Sequence, residues 1–220
     1  NKTKAMKLVT PSLFIILFIF FASCKKKVSE TVVKGVVYSS VESSVVSGAH
    51  VKFYIKKLSS NSFSSSFDLH EDLVVSSDGQ FKFSFLKTSS DVEYKIEVSS
   101  PSYKSEEVVI NPSNIDAGEE NIKDQYIVPF GSVSFRLKSG VNSNSTDELL
   151  FNFKNELESG ESFLSLLFLG NQIDTMLVTD VVAEKYNKFN YIIKRNGVLY
   201  NINDSVFCEK GNTKQKDIVY

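Results

Sequence analysis

The sequence is poor in the residue types that most often build catalytic or metal centres. Its 220 residues include no tryptophan, two cysteines, two histidines and four prolines. Two histidines leave few candidates for a general base, and neither lies at a metal-ligand spacing from a cysteine or a carboxylate. The chain is instead rich in phenylalanine (18) and tyrosine (9), which pack well on pleated, half-buried surfaces. The composition therefore favours strands and offers no evident centre of chemistry.

The charge balance argues against nucleic acid as a partner. The first 23 residues hold three lysines and no acidic residue, so the remainder carries 22 basic and 26 acidic side chains. A mildly acidic chain without a basic stripe lacks the electrostatic footprint that a phosphate backbone requires.

The two cysteines have different expected roles. Cys24 belongs to the N-terminal export sequence described below, so Cys208 has no partner for a disulfide. No base adjoins Cys208 in the sequence, as a nucleophilic thiol would need. We expect Cys208 to be a small buried hydrophobic residue at the end of a strand.

An export sequence is predicted at the N-terminus. After Met6 and Lys7, residues 13–21 form an apolar run of nine, well short of the ~20 residues that span a bilayer as a helix. The four residues that end this pattern resemble the lipobox of bacterial lipoproteins, with Phe21 where leucine is usual: Phe21-Ala22-Ser23-Cys24. The resemblance implies a signal peptide over residues 1–23 and a diacylglyceryl group on the Cys24 thiol. The alternative is a plain secretory signal with an incidental cysteine.

Residues 24–30 are predicted to be a tether. The three lysines at 25–27 either keep the fold in solvent or contact anionic headgroups. Near an anionic membrane surface, each lysine contributes about 1 kcal/mol of binding free energy. Bacteroidetes-type lipoproteins that reach the cell surface carry acidic residues at this place. The lysines therefore favour the periplasmic face of the outer membrane.

From residue 31 onward, apolar and polar residues alternate in short runs, which is typical of half-buried strands. The serine-rich residues 58–67 are predicted to be a surface loop, and residues 129–132 an exposed linker. Seven strands are predicted before residue 130, at residues 32–39, 50–56, 69–75, 80–86, 93–98, 104–110 and 124–128.

Three stretches of this half resemble the carboxypeptidase regulatory-like domain. They are the opening strand at residues 33–38, the Val-Ser-Gly-Ala-His-Val element at residues 46–51, and the Asp-Gly-Gln-Phe-Lys-Phe hairpin at residues 78–83. Val45 stands where this family usually has proline. The resemblance implies a seven-stranded, transthyretin-like β-sandwich over residues 31–129, and it implies nothing about activity.

Residues 130–220 are predicted to form a second β-sandwich domain, so the predicted fold class is all-β with two sandwiches in tandem. The clearest element is a hairpin around Asn196-Gly197, a pair that suits a type I′ turn. Residues 163–169 are nearly all apolar and are predicted to be a buried strand, with a short helix as the alternative.

No group of residues in the sequence predicts catalysis, a metal site or a cofactor. His50 and His70 fall on different predicted strands, and local spacing places no acid beside either of them. The oxygen-rich residues 142–148 lack the spacing and glycine of a calcium loop and are predicted to be a surface turn. Glu106 and Glu107 would point to opposite faces of one strand and could not share a site.

These observations predict a non-catalytic, membrane-anchored envelope lipoprotein that acts as a binding module. Its expected partners are the lipid bilayer, through acylated Cys24, and an envelope protein. A glycan ranks lower as a partner, because glycan-binding sandwiches usually display tryptophan platforms. The alternatives are a structural or assembly spacer at the outer membrane and, third, a glycan-binding or glycan-processing accessory protein.

Overall fold

Strands make up most of the chain that the structure describes. The computed structural model describes residues 29–58, 66–157 and 162–220, so Cys24, the tether lysines and most of the serine-rich stretch lie outside it. The one helical segment of these ranges is a 3-10 turn, Pro112–Asn114. The strands are, in chain order, β1 (Thr31–Ser39), β2 (His50–Lys57), β3 (Asp68–Val74), β4 (Gln80–Phe85), β5 (Asp91–Ser99), β6 (Tyr103–Lys104), β7 (Glu106–Ile110), β8 (Glu120–Ile122), β9 (Gln125–Lys138), β10 (Glu148–Asn155), β11 (Ser162–Leu169), β12 (Asp174–Val182), β13 (Lys185–Arg195), β14 (Val198–Cys208) and β15 (Thr213–Val219).

Strands β1–β8 and the beginning of β9 form the first sandwich. In one sheet β1 pairs antiparallel with β4 and parallel with β8 and β9, while β6 pairs with β9. The facing sheet has the order β3-β2-β5-β7. Alternate residues of both sheets point inward, because side chains of a strand alternate between its faces. Aromatic rings fill the centre, where Phe53 stacks on Phe83 and Tyr94 at centroid distances of 5.2 and 5.8 Å.

The rest of β9 and strands β10–β15 form the second sandwich. There β9 lies between β12, which is antiparallel to it, and β15, which is parallel. The facing sheet has the order β11-β10-β13-β14. Between the sheets, the ring of Phe135 lies 4.9 Å from that of Phe151 and 5.0 Å from that of Phe189. The all-β class and the sandwich architecture predicted from the sequence are confirmed.

One strand, β9, runs through both sandwiches without a break. The predicted exposed linker at residues 129–132 is therefore wrong: these residues lie inside β9, where the Phe130 N–H donates to the carbonyl oxygen of Ser102 at 2.9 Å. In the sequence, Pro129 and Gly131 indicated that a strand ends here. In the fold, the strand continues through both residues. Pro129 leaves no N–H group without a hydrogen-bond partner, and Gly131 lies where the neighbouring atoms leave no space for a side chain.

Other predicted strands are present with changed limits. The predicted strand at residues 104–110 divides into β6 and β7, which lie in different sheets because the chain crosses between them at Ser105. β8 and β12 have no counterpart among the predicted strands. Residues 163–169 do form a strand, β11, but every second residue of it is exposed, so the expectation of a buried strand is wrong.

The hairpin predicted around Asn196-Gly197 is confirmed. Asn196 and Gly197 have φ angles of 49° and 78°, as a type I′ turn requires, and they join β13 to β14. The described part of the chain contains no helix with the length and apolar character that crossing a membrane requires.

Candidate interaction surface

The two histidines lie on adjacent strands, β2 and β3, and each has a separate environment. His50 is exposed, and its Nδ1 lies 3.9 Å from the Oδ1 of Asp72, too far for a hydrogen bond. His70 is the extra residue of a β-bulge in β3. Its ring packs edge-on against Phe53 and Phe85, and its Nε2 lies 3.1 Å from the Ser84 carbonyl oxygen. His70 therefore helps to close the first sandwich between β3 and β4.

Cys208 is fully buried at the end of β14, as the sequence analysis expects. Its Sγ lies 3.3 Å from the carbonyl oxygen of Ser132, and burial, followed by the nearby Glu184 carboxylate, raises the pKa of the thiol. A raised pKa keeps the thiol protonated near neutral pH, so Cys208 is a packing residue and a poor nucleophile.

The loop at residues 142–148 is only partly the surface turn that its composition predicts. The side chain of Asp147 is completely buried, and its Oδ2 accepts from the backbone N–H of Asn144 and from Nε of Arg195, both at 3.1 Å. Within the described ranges, no three His, Cys, Asp or Glu side chains come together as metal ligands would. Asp147 therefore has a structural role, in which it ties the loop to β13.

The adjacent carboxylates also serve local structure. Glu107 accepts a hydrogen bond from Lys95 of the neighbouring strand β5 at 2.9 Å. Glu106 follows the opposite alternation, so the two do not share a site.

The second sandwich exposes apolar side chains on the two edge strands at one of its open sides, three on the outer face of β11 and two on the outer face of β12. β11 and β12 each form the free edge of a sheet, and only the four residues 170–173 connect them, so both edges lie on the same side. Between them, Leu164, Phe168 and Leu177 are only partly buried against the core. We call the following exposed residues the apolar side: Phe163, Leu167, Leu169, Met176 and Val178 (57–67% exposed).

The opposite side of this sandwich, between β14 and β15, is closed by polar contacts. The Nζ of Lys216 lies 2.7 Å from the Oδ2 of Asp204 and 5.7 Å from the centre of the Phe189 ring, so one side chain links the two sheets. This hydrogen bond from Lys216 lowers the pKa of Asp204. β11 has no charged residue that could make such a bridge on the apolar side.

A row of polar side chains crosses the outer face of the sheet that ends at β11. Ser165 donates to the Oδ1 of Asn152 at 2.8 Å, Asn152 donates to Asn190 at 2.9 Å, and Asn190 donates to Asn201. A shallow depression of about 660 Å³ lies beside this row. Because each amide already bonds to its neighbour, the row stabilises the sheet across four strands.

No family model and no curated protein matches the sequence. Among solved structures, the chain is similar to the Bacillus anthracis TIE protein, with 11% identity and a TM-score of 0.38 over 87% of this chain and 34% of that one. It therefore spans about a third of the length of that protein. It is also similar to a candidate cell adhesion protein from Bacteroides ovatus, with 8% identity and a TM-score of 0.30 over 86% of this chain and 91% of that one. A shaft pilin from Lactobacillus rhamnosus GG is similar with 10% identity and a TM-score of 0.33 over 87% of this chain and 96% of that one. Similarity this low leaves function to be argued from the chain itself.

Sequence reasoning did not find the apolar side. It assigned residues 163–169 to the core because they are apolar, and it placed no strand at residues 174–182. A usable signal was present: β11 is an uncharged run, and β12 alternates Met176 and Val178 with threonine and leucine. Only the sheet order shows that both are edges.

Proposed function

We propose that this chain is a non-catalytic binding module of the bacterial cell envelope that contacts a protein through the apolar side of its second sandwich. The observation that carries the proposal is the row of three exposed apolar side chains, Phe163, Leu167 and Leu169, along the free edge β11, with two more exposed on the adjacent edge β12. Exposed apolar patches are costly in water and commonly mark sites of protein contact.

A protein fits this surface better than a glycan. Leucine, methionine and valine supply most of the exposed area, and these side chains offer no hydrogen bonds to sugar hydroxyls. The amides next to them already bond to one another. Free strand edges, by contrast, offer backbone N–H and C=O groups that another polypeptide can pair with.

We further propose where the protein is anchored and how its domains are arranged along the chain. Lipid on Cys24 would hold the protein at the outer membrane, with the tether at residues 24–30 leading into a carboxypeptidase regulatory-like domain at residues 31–129. A second domain at residues 130–220 would carry the binding surface. Separate buried clusters on either side of residue 130, one from Val33 to Ile127 and one from Val133 to Tyr220, support this division. The alternative is a spacer subunit that uses the same fold without a partner.

Site-specific photocrosslinking in cells tests the binding surface. A photoreactive phenylalanine analogue replaces Phe163, and a matched control carries it at Val108, which is also exposed on an edge strand but lies in the first sandwich. We expect a protein adduct from position 163 and none from position 108. No adduct from position 163, or equal adducts from both, would favour the spacer.

Lipid labelling tests the anchor. Cys24→Ala removes the thiol that would receive the acyl group, so we expect no incorporation of labelled palmitate and an uncleaved precursor. Cys208→Ala is the control, because this buried thiol has no expected part in anchoring. Continued labelling of the Cys24→Ala protein would show that the lipobox interpretation is wrong.

A further inference from the structure

β11 is an unusually open sheet edge. It is the one strand in the described ranges without a charged residue, and it pairs with β10 over all eight residues without a register shift. Other edges carry charges or a bulge: β3 has three acidic residues and a bulge, β7 begins with two glutamates, β12 has two aspartates, and β14 has Asp204. Charges and bulges are the usual devices that prevent an edge from pairing with another chain. β11 has neither device, and no other strand of the described ranges pairs with its outer edge, so another strand can add there.

We propose that β11 pairs antiparallel with β11 of a second copy of this chain, about a twofold axis at Leu166. The two four-stranded sheets then form one continuous sheet of eight strands. This inference rests on the proposed function, since it identifies the partner of the apolar side.

The sequence of β11 is complementary to itself in this register. On the outer face, Phe163 lies opposite Leu169 of the second copy, and Ser165 lies opposite Leu167. On the inner face, the same axis places Leu164 opposite Phe168. Each aromatic ring therefore faces a leucine, and aromatic–aliphatic pairs across strands are among those that stabilise sheets. The ring of Phe168 and the side chain of Leu164, which are partly exposed at the rim of the core, gain cover from the second copy.

Charge repulsion opposes the parallel arrangement. Lys154 stands beside Phe163 in the sheet, and Lys188 shares that end, whereas the other end carries Glu148, which pairs with Lys194 at 2.7 Å. A parallel pairing would bring the basic ends of both copies together. The antiparallel pairing avoids this repulsion, because it places each basic end across from the end where Glu148 and Lys194 neutralise each other. The charges remain three strand spacings apart, so they influence the approach and do not form a salt bridge.

Disulfide trapping tests the register. The full chain with Phe163→Cys is mixed with the full chain carrying Leu169→Cys under mild oxidation in detergent. We expect a covalent dimer from the mixture and little from either variant alone, because only residues 163 and 169 of different copies face each other. The chain without these substitutions gives the background from Cys24 and Cys208. Equal dimer from each variant alone, or none from the mixture, would overturn the proposed pairing.

The oligomeric mass tests the surface independently. Sedimentation of the full chain should show a dimer, and Leu167→Lys should weaken it at least about tenfold, because the substitution puts a charge into the pairing edge. Val178→Lys is the matched control: it is equally exposed on the apolar side but lies on β12, outside the pairing, and should leave the dimer intact. Equal loss in both variants would contradict pairing through β11.

The outcomes also separate this inference from the proposed function. If the chain is monomeric but the analogue at position 163 crosslinks to a different protein, self-pairing is wrong and the binding module stands. If the chain is monomeric and position 163 gives no adduct, both proposals fail.

Discussion

Asp147 shows how a single residue can hold a polar loop in place. Its side chain is completely buried, while that of Arg195 is 30% exposed, so the pair lies at the boundary of the second core. Its Oδ1 has no hydrogen-bond donor within the described ranges. The Asn144 N–H and Arg195 both donate to Oδ2, and Arg195 supplies the positive charge that compensates for burying a carboxylate.

Removing the Arg195 charge should destabilise the protein markedly. Arg195→Gln leaves Asp147 buried without its cation, and we expect a loss of about 3 kcal/mol in the free energy of unfolding, measured by denaturant titration. Arg136→Gln is the control, because Arg136 and Asp174 form an exposed bidentate pair and its loss should change little. Similar effects of both substitutions would contradict the role assigned to Asp147.

Residue roles of this kind were beyond sequence reasoning. Residues 142–148 look like a solvent-exposed turn because all their side chains are polar, and the partner of Asp147 is 48 positions away. The contact of His50 with Asp72 depends in the same way on strand pairing. Cys208 was predictable, since a lone thiol among strand residues with no neighbouring base is usually buried.

At the scale of the elements, β9 passes close against the end of β14 and the turn that follows it at Gly131. A Cβ on Gly131 would lie 2.6 Å from both the Sγ of Cys208 and the carbonyl oxygen of Glu209, and 2.9 Å from that of Asn212. Two of these atoms belong to the backbone of the turn before β15 and cannot move away without breaking its hydrogen bonds.

Gly131→Ala should therefore cost about 2 kcal/mol in the free energy of unfolding through overpacking. Adding Cys208→Ala removes the sulfur but not the two carbonyl oxygens, so it should not restore stability. Gly140→Ala is the milder comparison, since its nearest atom would be the Tyr220 carbonyl oxygen at 3.0 Å. Thermal unfolding measures the loss of stability in the three variants. Full recovery in the double variant would mean that the sulfur alone limits the space.

Elements with local signals were predicted well, and those that depend on the sheet order were not. The Asn196-Gly197 hairpin needs only its own turn residues, so the sequence was enough. The continuity of β9 was missed because Pro129 and Gly131 act as breakers in most contexts. The exposure of β11 was missed because an apolar run does not reveal whether a second strand covers it.

At the scale of the whole molecule, contacts across residue 130 join the two sandwiches. The Nζ of Lys210 donates to the hydroxyl of Tyr103 at 2.8 Å and lies 4.7 Å from the centre of that ring. This hydrogen bond raises the pKa of Lys210. The Nζ of Lys104 donates to the carbonyl oxygen of Leu157 at 2.9 Å. Together with the shared strand, these contacts oppose independent motion of the halves.

We therefore expect one cooperative transition in calorimetric unfolding, in place of the two that flexibly linked domains would give. Lys210→Met should lower the unfolding free energy by about 1 kcal/mol through loss of the contact with the Tyr103 ring. Lys214→Met, at an exposed position of β15, is the control. Limited proteolysis should spare residues 129–132. Two resolved transitions, or early cleavage there, would show that the sandwiches behave as separate bodies.

The pairing of β9 also has a mechanical consequence. β1 lies parallel to the first part of β9, and β15 lies parallel to the second part, so all three strands point in one direction. A pull between the N-terminal end of β1 and the C-terminal end of β15 therefore acts along the strands and loads both ladders in shear. Under shear, the hydrogen bonds of a ladder resist together, whereas peeling would break them one at a time. A protein under tension from a membrane tether would thus extend little before β9 releases one of its neighbours.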